Sequence, residues 1–96
     1  MENRIQLKHP AGKKAVTMNS TKYNLLKKEI LAYLNENGES THKKMLQGIS
    51  KSFGKSKTKF EGSVEWHMEW VKLDLEARKV IVRNGNVSPV TFAVKR

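Results

Sequence analysis

Apolar residues recur at helical spacing in three stretches of this chain, and a β-branched run follows near its end. Tyr23, Leu26, Ile30, Tyr33 and Leu34 share one stripe of a predicted first helix over 20–37, with Ser20 or Thr21 as its cap and Gly38 as its left-handed exit. Met45, Ile49 and Phe53 recur every four residues in a predicted second helix over 41–53, capped by Thr41. Lys43, Lys44, Gln47 and Lys51 take its outer faces. Gly48 in its middle costs about 1 kcal/mol relative to alanine, which points either to a closely packed neighbour or to a local weak point.

A longer third helix is predicted over 63–79, with Ser63 as cap and Glu65 near the positive end of its dipole. At about 100° per residue, Val64, Met68, Val71 and Leu75 fall on one side, and Trp66, Trp70, Leu73 and Ala77 on nearly the opposite side. One edge between them holds Glu65, Glu69, Lys72 and Glu76; the other holds Ser63, His67, Asp74 and Arg78. Both apolar sides need a cover, because exposed tryptophans leave a patch larger than a small monomer normally tolerates. Trp66, Trp70 and Leu73 therefore read as core or dimer contacts, covered by the C-terminal strands, the N-terminal segment or a second copy of the chain.

Residues 80–83 read as a strand, Asn84-Gly85-Asn86 as a turn and 90–94 as the returning strand, with Pro89 lengthening the loop. Residues 1–19 form a basic arm, either partly disordered or docked through Ile5, Leu7 and Val16. The expected architecture is thus α+β, a single domain over 20–96 with three helices followed by a two-stranded hairpin.

Ninety-six residues leave room for one core. Nineteen Lys and Arg against nine Asp and Glu give a net charge of +10, a field that draws polyanions. Fifteen of those cations are lysines, which meet phosphate as point charges, whereas bidentate reading of guanine is arginine's work. Without cysteine, disulfides, Fe–S clusters and thiol catalysis are excluded. His9, His42 and His67 lack ligand spacing, so neither metal nor cofactor is expected. His67 and Asp74 stand two helical turns apart, too far for proton transfer. No catalytic group or small-molecule substrate is inferred, no apolar run approaches a membrane span, and a cytoplasmic location is the simplest expectation.

The order of elements, with the run Trp70-Val71-Lys72-Leu73-Asp74-Leu75-Glu76-Ala77-Arg78-Lys79-Val80-Ile81, resembles winged-helix domains of bacterial DNA-binding proteins over about residues 20–94. It is also similar to a family of small stand-alone bacterial proteins of uncharacterised function with a Trp-x-x-x-Trp-Val-Lys-x-Asp-Leu-Glu-Ala-Arg signature. The resemblance implies that 63–79 stands in the place of a recognition helix and 83–89 in that of a wing. Three glutamates on one edge oppose insertion of that helix into the major groove.

The expected function is non-enzymatic, phosphate-directed binding of DNA with low sequence specificity. Lys43, Lys44, Lys51, Lys55, Lys57 and Lys59 would carry it, joined by Arg83, Asn84 and Asn86 of the hairpin. The alternative is a protein-interaction or homodimerisation module on the same frame.

Overall fold

The computed structural model describes residues 3–55 and 62–95. The segment read from sequence as an arm carries two short strands, β1 (Arg4–Gln6) and β2 (Thr17–Asn19). They pair antiparallel, with Ile5 opposite Met18. Ribbon and body are continuous, because Leu7 and Met18 are buried in the common core.

Helix α1 (Ser20–Asn37) has the predicted span but a different cap. Asn19 is still extended, so its side chain folds forward and Oδ1 accepts the Thr21 and Lys22 backbone N–H groups at 2.9 and 3.2 Å. Ser20 is already helical and cannot take that role. At the other end Gly38, at φ +76°, donates its N–H to the Leu34 carbonyl at 2.8 Å.

A two-residue strand, β3 (Ser40–Thr41), leads into α2 (His42–Lys55). Thr41 Oγ1 accepts the Lys44 N–H at 3.2 Å, and the helix runs two residues beyond its predicted end. Gly48 is there for a close approach: a Cβ at this position would lie 2.8 Å from Cδ2 of Tyr33 on α1.

Helix α3 (Val64–Ala77) begins behind Ser63, whose Oγ accepts the Trp66 N–H at 3.1 Å. It is shorter than predicted because Lys79 turns left-handed at φ 64°. The Lys79 N–H then bonds the Glu76 carbonyl at 3.1 Å and the Val80 N–H bonds Leu75 at 2.9 Å. This is the hydrogen-bond pattern of a Schellman stop, with lysine where glycine is usual. The chain leaves that stop directly into β4 (Ile81–Asn84), which pairs antiparallel with β5 (Thr91–Val94).

β3 adds to the free side of β5, giving a three-stranded sheet in the order β3-β5-β4. The architecture is α+β, three helices with two small antiparallel sheets. α1 packs against both α2 and α3. The core between them holds the predicted stripes: Tyr23, Leu26, Ile30 and Leu34 from α1, Met45, Ile49 and Phe53 from α2, and Met68, Val71 and Leu75 from α3. Ile81 and Phe92 close it from the sheet.

Candidate nucleic-acid interface

α2 contains four lysines and no acidic residue. Its core face is fixed by Met45, Ile49 and Phe53, so at about 100° per residue Lys43, Lys44, Gln47, Ser50 and Lys51 are left on an outward arc of about 120°. All five are exposed. Among the described residues no ion pair engages Lys43, Lys44 or Lys51. Lys44 and Lys51 stand two turns apart, about 10 Å along the axis, the axial rise of roughly three base pairs of a duplex. Lys55 is the last residue of the helix; Lys57 and Lys59 lie outside the described residues.

The predicted hairpin contacts are placed differently. Arg83 Nε lies 3.1 Å from Glu76 Oε1 on α3, another of its nitrogens donates to Oε2 at 3.3 Å, and its guanidinium stands 5.4 Å from the centre of the Phe92 ring. Asn84 accepts the Asn86 N–H at 3.0 Å and donates to Glu39 at 3.4 Å. Arg83 and Asn84 are thus partnered within the fold, whereas Lys43, Lys44 and Lys51 face solvent.

Lys72 and Asp74, assigned by periodicity to the polar edges of α3, are buried. Lys72 is 3% exposed because β5 covers it, with Phe92 under its ammonium at 4.4 Å. Its Nζ donates to His42 Nδ1 at 2.9 Å and to Glu69 Oε2 at 3.1 Å, joining the start of α2 to α3. Burial pulls the Lys72 ammonium below the usual lysine range, against the opposing pull of Glu69. Burial and then Lys72 push His42 below the usual histidine range, against Glu69 and Glu65. Glu69 also stands 3.3 Å from His42 Nδ1. The ammonium on that nitrogen nevertheless identifies it as an acceptor, hence a neutral ring.

Asp74 is completely buried, and its carboxylate is the junction of three elements. Oδ1 accepts the Lys8 backbone N–H at 2.8 Å, Oδ2 accepts the Tyr23 hydroxyl at 2.5 Å, and Arg78 Nε bonds both oxygens at 3.0 and 2.9 Å. Every one of these donors comes from the fold itself, so the group is structural. Burial and the bond to Asp74 raise the Tyr23 hydroxyl above the usual tyrosine range. Its own hydrogen bonds to Asp74 keep Arg78 more firmly charged than a free guanidinium.

The tryptophan side of α3 is unevenly covered. Trp70 is half-buried and packs on the core, whereas Trp66 is 47% exposed and meets Trp70 edge-on, with ring centres 6.4 Å apart. Among the described residues, neither strands nor ribbon cover Trp66. α3 therefore presents an indole and the exposed Glu65 where a groove-reading helix would present cations.

Among the described residues no group of three His, Cys, Asp or Glu could hold a metal ion, and no helix is long and apolar enough to cross a membrane. No curated protein and no solved structure matches the chain. Residues 4–92, from the first strand of the ribbon into β5, match a family model, and the chain therefore belongs to the family of unknown function DUF6958.

Proposed function

We propose that this chain is a non-enzymatic nucleic-acid-binding protein that holds the phosphate backbone of duplex DNA with low sequence specificity. The observation that carries this reading is the exposed, acid-free face of α2 with Lys43, Lys44 and Lys51. In a chain of net charge +10 this face is a local concentration of cations on a rigid element. Gln47 and Ser50 between them add neutral donors suited to phosphate oxygens.

The frame is read as a winged helix. A helix, a short strand, two more helices and a hairpin follow in that order, and the sheet order β3-β5-β4, with the first strand beside the last, supports the reading. The departure lies in which helix meets the ligand. Glu65 and Glu69 would approach phosphate if α3 entered a groove, so α2 takes the contact and α3 stays outside.

A labelled duplex of random sequence tests this. The parent chain binds at low salt and releases steeply toward physiological salt, and Lys44→Glu with Lys51→Glu weakens binding at every salt concentration. No binding of the parent at low salt would remove the proposal.

A further inference from the structure

The outer face of α3 has its own pattern, separate from the lysines of α2. Trp66, Trp70, Leu73 and Ala77 follow one another at intervals of four, three and four residues, the spacing of a helix seam that receives another helix. Trp66 is the open end of that seam, 47% exposed, at a shallow depression of about 300 Å³ lined by Ser63, Glu65, Trp66 and Glu69. The Glu69 side chain is 42% exposed although its carboxylate accepts from Lys72, and Glu65 is exposed. Among the described residues no ion pair holds Glu65.

We infer that this face docks an amphipathic helix of a partner protein, one whose apolar stripe meets the α3 seam and whose flank carries lysine or arginine. The argument is charge complementarity against the chain's own field. A protein of net charge +10 repels a cationic partner everywhere except where it gathers carboxylates. Here two of them border an exposed indole, which itself attracts an ammonium or guanidinium. A second copy of this chain is the poorer occupant: antiparallel pairing of two α3 helices sets the same acidic flank of each copy against the other.

Two synthetic helical peptides lacking tryptophan test the assignment on the full chain. Both carry leucine at alternating three- and four-residue spacing; one has lysine flanks and the other glutamate flanks. Emission from the chain's two tryptophans reports the contact. The lysine peptide is expected to bind and shift that emission to the blue, on the order of tenfold more tightly than the glutamate peptide. Glu65→Lys, at an exposed position, is expected to abolish the preference, and Trp66→Ala to weaken binding of the lysine peptide. Equal affinities for the two peptides, or no binding of either, would overturn the inference. So would a dimeric sedimentation mass of the parent that becomes monomeric in Trp66→Ala, which would make a second copy the occupant.

Discussion

Arg83 Nε rests 3.1 Å from Glu76 Oε1, tying the first strand of the C-terminal hairpin to the last turn of α3. The pair removes the hairpin's described arginine from the pool of free cations and neutralises one of the α3 glutamates. If α2 is the phosphate-facing element, Arg83→Ala should leave DNA affinity within about threefold of the parent, whereas each exposed lysine of α2 lost should reduce the salt slope by about one. Fluorescence anisotropy across a salt series reads both. A large loss with Arg83→Ala and none with Lys51→Ala would move the interface to the hairpin.

The Asp74 junction should dominate stability. Removing the hydroxyl in Tyr23→Phe deprives a buried carboxylate of one donor and should cost about 1–3 kcal/mol. Asp74→Ala leaves a buried hydroxyl, a guanidinium and the Lys8 N–H without their acceptor, and should cost about 3–5 kcal/mol. Urea unfolding measures both. Hydrogen exchange of the Lys8 amide should accelerate in Asp74→Ala, since that bond holds the ribbon to α3.

Two titrations set opposite ends of the pH profile. Tyr23 has a raised folded value, so its contribution is complete below its ordinary value of 10.0 and is lost as pH climbs from there toward the folded value. Tyr23→Phe should remove that alkaline loss. His42 has a lowered folded value, so as pH falls below 6.5 the unfolded chain takes up the proton first and stability declines until the folded ring is also charged. Thermal melts between pH 5 and pH 8 should be flatter for His42→Gln than for the parent.

Lys79 occupies a left-handed position at φ 64°, a conformation that disfavours any side chain with a Cβ. Lys79→Gly keeps the Schellman hydrogen bonds and removes the strain. It should stabilise the chain by about 1 kcal/mol and raise the melting temperature. A fall would show that the lysine side chain matters more than its backbone.

These outcomes also mark what was legible in the sequence. The three helices were, because each has an unbroken apolar stripe of three or more residues and a polar cap within one or two positions of its start. The exposure of Lys43, Lys44 and Lys51 was legible because their helical angles point away from the Met45, Ile49 and Phe53 stripe. Lys72 and Asp74 were not: helical angle fixes the direction of a side chain but not what lies across from it. The partners of Asp74 arrive from Lys8 and Tyr23, 66 and 51 residues away. Trp66 and Trp70 differ by about 40° around the helix, too little for periodicity to separate the half-buried ring from the exposed one. β3 was missed because two residues carry no period, and the ribbon because its strands are three residues each.

The slope of log affinity against log salt, for the parent and for Lys44→Ala with Lys51→Ala on one random duplex, tests the central claim most directly. Phosphate contact through α2 predicts a slope for the double variant that is shallower by about two, with both chains folded. Identical slopes, or a parent that ignores DNA even at low salt, would contradict it.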